Sequence, residues 1–215
     1  MQTAKSIVIA CAGIGSRLGL GTTKSLIKIN GKPLIQWQLE MLSAIQDDLD
    51  IRIVVGFQAT EVIKVVKQIR DDVIFVLNNN YFERKTGSSY YLGAKDAHGL
   101  IIELDGDLLI HPEDMKKCLN TKGEWCAYSD ISSTDAVFVN LDDQGNVVEF
   151  SKESGQYEWS GPCCLRKEHI EYTDSNVYNI LERHLPIKGI KVRAYDIDTY
   201  DDYMRVLKTT KDWIL

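Results

Sequence analysis

Residues 6–19 read Ser-Ile-Val-Ile-Ala-Cys-Ala-Gly-Ile-Gly-Ser-Arg-Leu-Gly, and this stretch decides the fold. Its first six residues form an apolar, β-rich run that is typical of a buried strand. Gly13 and Gly15 follow, and two glycines after a strand let backbone N–H groups approach a polyphosphate closely. Arg17 and Lys24 add positive charge where triphosphate oxygens would lie. The segment therefore predicts a strand followed by a phosphate-binding loop.

Neither of the two common phosphate-binding motifs fits this loop. A P-loop has the pattern GxxxxGK[ST], and no Lys-Ser or Lys-Thr pair stands directly after the second glycine here. In the dinucleotide motif GxGxxG, the third glycine would stand at Leu18, whereas Gly19 comes one position late. A flexible glycine turn with two surface cations is the simpler structural alternative.

Strand-like and helix-like segments alternate over the first 120 residues. The predicted strands are 6–11, 51–55, 73–77 and 100–104. The predicted helices are 33–45, 59–69, 88–97 and 112–119. This alternation, with continuous apolar strands, implies an α/β fold with a Rossmann-like, mostly parallel sheet that is flanked by helices on both faces.

The second half of the chain has a different pattern and predicts a small β-rich insertion. Residues 135–140 and 147–150 flank Asp142-Asp-Gln-Gly145, which is a hairpin turn signal. Further strands are predicted at 159–165 and 191–195, and helices at 175–184 and 201–207.

Composition excludes several classes of protein. The formal net charge is −6 and there is no dense Lys/Arg cluster, so we expect no nucleic-acid partner. No apolar run approaches the ~20 residues of a membrane span, and residues 7–12 lack the layout of a signal peptide, so we expect a cytoplasmic protein with no membrane partner. Five cysteines without CxxC spacing fit a reducing compartment and predict buried thiols.

Two Asp-x-Asp motifs follow predicted strands that are far apart in the chain, Asp105-Gly-Asp107 and Asp196-Ile-Asp198. Carboxylates at the carboxyl edge of a parallel sheet lie where ligands bind in open α/β folds. Mg²⁺ commonly takes one or two carboxylates together with substrate phosphates, so two such motifs at one edge suit it. For each motif alone, a strand-end turn or a helix cap is the alternative, since Asp is favoured there.

The loop is part of a longer pattern. GxGSRLG, then Lys24 before a small residue and Leu, then Asn30-Gly-Lys-Pro-Leu34, resembles the N-terminal signature of nucleotidyltransferases with a GT-A-like fold. That family includes sugar-1-phosphate nucleotidylyltransferases and the small cytidylyltransferases for phosphocholine and 2-aminoethylphosphonate. Cys11 replaces the first alanine of the signature and Thr23 its usual proline, and neither change removes a phosphate ligand.

The resemblance implies a Mg²⁺-dependent nucleotidyltransferase that joins a nucleoside triphosphate to a small phosphorylated or phosphonylated acceptor and releases pyrophosphate. The compact chain favours a cytidylyltransferase that uses CTP. The alternatives are a sugar-1-phosphate nucleotidylyltransferase using UTP, GTP or dTTP, and a regulatory domain that binds a nucleotide without turnover. We expect one domain over 1–215, with a nucleotide-binding half at 1–120 and an acceptor-binding half, carrying the second metal ligand, at 121–215. A homodimer is compatible with this interpretation.

The resemblance also assigns the site residues. Family members carry a Gly-Asp at the end of the fourth strand and an Asp before Thr near the C-terminus, which match Asp107 and Asp198 as metal ligands, with Asp196 as a second choice. The implied catalytic residues are Arg17, Lys24 and Lys152, of which Lys152 binds the acceptor's phosphate. The implied nucleotide contacts are Ala12, Gly13, Gly15, Ser16, Arg17, Lys24, Asn79, Ser88, Ser89 and Asp105. The implied acceptor contacts are Lys152, Tyr157, Trp159 and Gly161. Lys85-Thr86 stand where cytidylyltransferases of the family have paired asparagines, which leaves the base preference open.

Overall fold

The computed structural model of the chain describes residues 6–15, 21–133 and 136–213. The strands are β1 (Ser6–Cys11), β2 (Lys28–Ile29), β3 (Lys32–Pro33), β4 (Asp50–Val55), β5 (Ile74–Leu77), β6 (Leu100–Asp105), β7 (Leu108–Ile110), β8 (Trp125–Ser129), β9 (Phe138–Leu141), β10 (Asn146–Ser151), β11 (Tyr157–Arg166), β12 (Ile187–Lys191) and β13 (Ala194–Asp196). The helices are α1 (Leu34–Ile45), α2 (Ala59–Lys67), α3 (Thr86–Ala94), α4 (Pro112–Asn120), α5 (Tyr178–Leu181) and α6 (Tyr200–Thr209).

A nine-stranded mixed sheet in the order β5-β4-β1-β6-β11-β8-β12-β10-β9 runs through the centre of the protein. Its first four strands are parallel to one another, as the alternation of strands and helices predicts. Beyond β6 the sheet is antiparallel except for the parallel pair of β8 and β12. The fold class is therefore confirmed: a Rossmann-like parallel part is joined to a β-rich part formed by the second half of the chain.

The two faces of the sheet bury separate cores because side chains alternate along each strand. In β1, Ile7, Ile9 and Cys11 face a core that is completed by α1, α2 and α4, whereas Val8 faces a core completed by α3 and α5. Ile7, Val8 and Ile9 are fully buried. This two-sided burial explains why β1 reads as a continuous apolar run.

The predicted strand at 191–195 is wrong as a single element. The chain instead forms β12 in the large sheet and then β13, which pairs antiparallel with β7 in a separate two-stranded sheet. The break falls at Val192 and Arg193: Val192 is buried, and Arg193 turns outward to bind Asp114 through Nε at 2.7 Å. The short strands β7 and β8 were not predicted either.

Two further sequence predictions concern cysteines and membrane segments. All five cysteines are buried free thiols, as predicted. Within the described ranges, no helix combines the length and the apolar character that crossing a membrane requires.

The close packing of α3 against β1 can be tested at Gly93. A Cβ atom at Gly93 would lie 2.4 Å from Val8 Cγ1 and 2.9 Å from Val54 Cγ2. Gly93→Ala gains about 1 kcal/mol of helix propensity but must displace two stiff, fully buried side chains at a cost of roughly 1–3 kcal/mol. We expect a net loss of about 1 kcal/mol in the free energy of unfolding in urea.

Lys64→Ala, on the exposed face of α2, is the control and should stay within about 0.5 kcal/mol of the wild type. A Gly93→Ala protein at least as stable as the wild type would contradict the close approach of α3 to β1.

Candidate active site

Lys24 lies at the centre of the candidate site. A single 3-10 turn, Lys24–Leu26, follows the glycine-rich loop and directs the lysine towards the sheet edge. Its Nζ atom donates hydrogen bonds to Asp107 Oδ2 at 2.6 Å and to Asp198, and only 12% of the side chain is exposed. Burial opposes the charge of Lys24, but the neighbouring carboxylates outweigh it and raise the pKa of the lysine above its ordinary value. The ammonium therefore stays charged at neutral pH.

Three aspartates converge beside this lysine. Ligand oxygens of Asp107, Asp196 and Asp198 all lie within 4.8 Å of one another. Asp107 stands in the turn between β6 and β7, and the pairing of Asp196 with Leu108 across β13 and β7 brings the second motif to it. Three clustered carboxylates with room for further oxygen ligands form a donor set that fits Mg²⁺.

The glycine-rich loop packs directly against Lys24. Gly15 has a φ of +66°, and a Cβ atom there would lie 2.9 Å from Lys24 Cγ. A larger residue would therefore be strained and would displace the lysine. Gly13 has nothing within 4 Å of a Cβ position, so its backbone borders open space. Ser16 and Arg17, both predicted nucleotide contacts, lie outside the described residues.

Two glutamines fix the backbone on either side of the site. Gln58 accepts a hydrogen bond from the Thr23 backbone N–H at 2.9 Å and so holds the chain just before Lys24. Gln38, which is 1% exposed on α1, donates to the carbonyl oxygens of Asp105 at 2.8 Å and Leu108 at 2.7 Å. The turn that carries the first aspartate motif is thereby attached to α1. Sequence reasoning identified neither glutamine.

A cavity of about 310 Å³ opens beside Lys24, and we name it the Lys24 cavity. Its lining is Ala10, Cys11, Ala12, Gly13, Gly15, Thr23, Lys24, Ser25, Asn78, Tyr81, Arg84, Lys85, Thr86, Ser89, Asp105, Gly106, Asp107 and Asn176. Most of the described residues predicted to bind the nucleotide thus line one cavity. Its polar far side, formed by the loop after β5 and the start of α3, suits a base and a ribose.

Two predicted nucleotide contacts lie elsewhere. Asn79 is exposed and is not among the lining residues, whereas its neighbour Asn78 is buried and lines the cavity. Asn78 donates to Ser89 Oγ at 3.1 Å. Ser88 is fully buried behind the lining, where its hydroxyl donates to the Lys85 carbonyl at 2.9 Å. The structure thus brings Asn78 to the cavity instead of Asn79. Ser88 does not line the cavity, but its hydrogen bond holds the backbone of Lys85, which does.

A second cavity, of about 630 Å³, lies on the other side of the aspartates, and we name it the Trp159 cavity. Its lining is Asp105, Leu108, Ser129, Ser132, Ser133, Glu158, Trp159, Ser160, Gly161, Ala194, Asp196, Asp198, Thr199, Asp201, Asp202 and Arg205. Asp105 borders both cavities, so two ligands would meet at this carboxylate. Trp159 and Gly161, both predicted acceptor contacts, lie here.

Two other predicted acceptor contacts do not line either cavity. Tyr157 packs its ring 4.7 Å from that of Tyr128, under the ammonium of Lys191. Lys152 is exposed just after β10. The sequence analysis also missed Glu158, a buried carboxylate inside a strand with no recognisable motif around it.

Strand β6 carries two carboxyl groups whose pKa values are raised: Glu103, which is fully buried, and Asp105, which lines both cavities. Burial, with the nearby carboxylates of Asp105 and Asp107, holds the pKa of Glu103 well above its usual range. Burial and the charge of Asp107 likewise raise the pKa of Asp105 to about 7, against the opposing charge of Lys24. Glu103 is fully buried, and this burial favours the neutral form of its carboxyl group.

A family model described as "MobA-like NTP transferase domain" matches residues 7–148. The choline-phosphate cytidylyltransferase of Streptococcus pneumoniae is 26% identical in an alignment that covers 97% of this chain and 99% of that protein. The bifunctional protein GlmU of Aliarcobacter butzleri is 29% identical over 53% of this chain. The chain spans about a quarter of the length of that GlmU protein, since the alignment covers 26% of it.

Two solved structures have the same fold. The inositol-1-phosphate CTP transferase from T. maritima superposes with a TM-score of 0.81 at 16% identity, covering 100% of this chain and 99% of that one. The CTP:phosphocholine cytidylyltransferase from Streptococcus pneumoniae superposes with a TM-score of 0.78 at 20% identity, covering 98% and 100%. At these identities the comparison establishes the fold alone.

The buried carboxyl group of Glu103 predicts a pH dependence of stability. In the unfolded chain Glu103 loses its proton near its ordinary pKa of about 4.3, whereas the folded protein retains it to a much higher pH. Between these values the native state binds more protons, so this group lowers stability as pH rises. We expect Glu103→Gln to reduce the loss of unfolding free energy between pH 5 and pH 8 by about 1 kcal/mol or more.

Urea unfolding at the two pH values measures this difference. Glu149→Gln, at an exposed position of β10, should keep the wild-type pH dependence. An unchanged pH dependence in Glu103→Gln would contradict a raised pKa of Glu103 in the folded protein.

Proposed function

The chain belongs to the family of MobA-like NTP transferase domains, and we propose that it transfers a nucleoside monophosphate from a nucleoside triphosphate to a small phosphorylated acceptor. The main support for this proposal is the position of Lys24, which meets Asp107, Asp196 and Asp198 at one edge of the sheet. A cavity opens on either side of these four residues. A site that only bound a nucleotide would not need the second cavity.

In the proposed reaction, the triphosphate lies in the Lys24 cavity against the backbone at Gly13 and Gly15. Lys24 lines this cavity beside Asp107, so its ammonium offers a charged hydrogen-bond donor to the phosphates. Mg²⁺ held by the three aspartates would neutralise phosphate charge and polarise phosphate oxygens. The arrangement combines charge neutralisation with fixed positioning, which are the two main requirements of phosphoryl transfer.

The acceptor's phosphate enters from the Trp159 cavity. One of its oxygens attacks the α-phosphorus in line, a new P–O bond forms, and the bond to the β-phosphate breaks so that its electron pair leaves with pyrophosphate. The acceptor phosphate is already anionic near neutral pH, so no protein nucleophile is required. Asp105 lines both cavities, so it stands where the two ligands would meet.

We favour CTP as the nucleotide. The Streptococcus pneumoniae relative, which aligns over nearly its whole length, is named a choline-phosphate cytidylyltransferase, and this name supports CTP. The alternative is UTP, GTP or dTTP, as in sugar-1-phosphate nucleotidylyltransferases. Lys85 and Thr86 line the cavity where cytidylyltransferases of the family have paired asparagines, and this difference leaves the base preference open. A regulatory domain without turnover is the alternative from another class.

Release of pyrophosphate separates these three functions. The protein with Mg²⁺ and a mixture of small phosphates is given CTP, UTP, GTP or dTTP in turn. We expect CTP to give the fastest release, and excess EDTA to abolish it. Release with another nucleotide alone would replace CTP, and nucleotide binding without any release would leave only the regulatory alternative.

Lys24→Met tests the residue on which the proposal depends. We expect turnover to fall by at least ~100-fold, because a charged donor to the transferred phosphates is lost while the circular dichroism spectrum is retained. Lys28→Met, four residues on and exposed, is the matched control and should stay within about twofold. Near-normal activity of Lys24→Met would exclude its proposed role.

A further inference from the structure

One residue of the Lys24 cavity comes from a distant part of the chain that carries no recognised motif. Asn176 lines the cavity, although the rest of its polar wall is formed by the loop after β5 and the start of α3. Asn176 stands in the connection between β11 and α5, and we name residues 173–177 of this connection the 173–177 segment. Neither the glycine-rich loop nor the aspartate motifs explain its place in the wall.

The 173–177 segment is fixed against the first turn of α3. The backbone N–H of Gly87 donates to the Ser175 carbonyl at 3.0 Å. The backbone N–H of Val177 donates to Thr86 Oγ1 at 3.3 Å. Because these two hydrogen bonds lie on either side of Asn176, they hold its backbone beside the helix start that forms the polar wall.

Close packing adds to these hydrogen bonds. A Cβ atom at Gly87 would lie 2.5 Å from Thr173 Cγ2 and 2.7 Å from the Ser175 carbonyl oxygen, so the segment approaches the helix as closely as a glycine allows. Val177, directly after Asn176, is 2% exposed and belongs to the core that α3 and α5 complete. The position of Asn176 is therefore set by a rigid surrounding, as the recognition of one ligand requires.

The carboxamide of Asn176 is the polar group of this residue that remains for a ligand. Its backbone N–H donates to Asn179 Oδ1 at 3.3 Å, and its backbone carbonyl accepts from the Asn179 N–H at 3.2 Å. Within the described ranges, no protein group hydrogen-bonds to the carboxamide itself, so this side chain does not cap α5. The side chain is half-buried in a cavity wall with its donors and its acceptor available.

Three other polar side chains of this wall are already engaged within the protein. Asn78 donates to Ser89 Oγ at 3.1 Å and accepts from the backbone N–H of Asn80, also at 3.1 Å. The Nε atom of Arg84 pairs with Asp174 at 3.1 Å. Of the two carboxamides among the described lining residues, that of Asn176 is therefore the one that can bind a ligand without first breaking an internal hydrogen bond.

A carboxamide matches the edge of a nucleobase. It has an acceptor oxygen beside an amino group, and it binds two neighbouring base atoms at once when one of them donates and the other accepts. Cytosine presents such a pair, because Oδ1 can accept from the N4 amino group while Nδ2 donates to N3. Turned over, the same carboxamide matches N3–H and O4 of uracil. Phosphate oxygens are acceptors alone, and Lys24 serves them better.

We propose that Asn176 is a specificity-determining residue of the nucleotide site, whose carboxamide binds the edge of the base. The inference rests on the proposed function, which places the nucleotide in the Lys24 cavity. It follows that the half of the chain predicted to bind the acceptor also contributes to the choice of nucleotide.

Asn176→Ala tests this role with CTP and with ribose 5-triphosphate, which has no base. In the pyrophosphate assay, we expect the KM for CTP to rise by ~10-fold with kcat changed less than about threefold, since two hydrogen bonds made before and during the reaction are lost. The KM for ribose 5-triphosphate should stay within about twofold of the wild-type value. An equal rise for both compounds would assign Asn176 to the ribose or the phosphates, and no rise for CTP would leave it without a role in binding; either result overturns the proposal.

Asn120→Ala is the matched control for this comparison. Asn120 is an exposed asparagine at the end of α4, and it lines neither the Lys24 cavity nor the Trp159 cavity. Both KM values should therefore match the wild type.

Asn176→Asp separates hydrogen bonding from packing, because the two side chains have nearly the same shape. A carboxylate has acceptors alone, so it repels the N3 lone pair of cytosine, whereas guanine presents two neighbouring donors, N1–H and the N2 amino group. The added negative charge acts on the triphosphates of both nucleotides alike. We expect the kcat/KM for CTP relative to that for GTP to fall by at least ~10-fold, and an unchanged ratio contradicts base recognition by Asn176.

Calorimetric binding of CTP and ribose 5-triphosphate with Mg²⁺ distinguishes a failure of this inference from a failure of the proposed function. If no nucleotide yields pyrophosphate, but CTP binds more tightly than ribose 5-triphosphate and Asn176→Ala removes the difference, the proposed function fails and base recognition stands. If pyrophosphate is released while both variants select nucleotides as the wild type does, base recognition by Asn176 fails and the proposed function stands.

Discussion

Three carboxylates whose oxygens lie within 4.8 Å of one another repel strongly, and the buried ammonium of Lys24 offsets part of that repulsion. The rest of the site is arranged to make this contact possible. Gly15 leaves room for the lysine, Gln38 holds the turn that carries Asp107, and the pairing of β13 with β7 delivers Asp196. A change in any of these features alters the charge balance at the sheet edge.

The mixed sheet places a cavity on each side of the contact between Lys24 and the three aspartates, so the site has room for two ligands. The parallel half places the Lys24 cavity at the carboxyl ends of β1 and β6, where open α/β folds usually bind ligands. The antiparallel half begins with β11 beside β6, and β11 forms one wall of the Trp159 cavity. Because β6 belongs to both halves, its last residue, Asp105, borders both cavities.

Much of this arrangement could be predicted from the sequence, since β1, the loop glycines and the two Asp-x-Asp motifs are local patterns. Asn78 was missed in favour of Asn79 because the side of a strand end that faces a cavity depends on the final register. Glu158 was missed because it is held by contacts with a loop some 25 residues away in the chain. Lys152 was assigned from the family pattern, and its exposed position leaves that role a prediction.

A crystal structure with Mn²⁺ and a non-hydrolysable CTP analogue can test whether the aspartates bind the metal and Lys24 contacts the triphosphate. The anomalous scattering of Mn²⁺ locates the ion directly. We expect an ion bound by Asp107 and Asp198, with the triphosphate in the Lys24 cavity and its phosphates within hydrogen-bond distance of Lys24. An ion bound elsewhere, or a triphosphate outside the Lys24 cavity, would contradict this expectation.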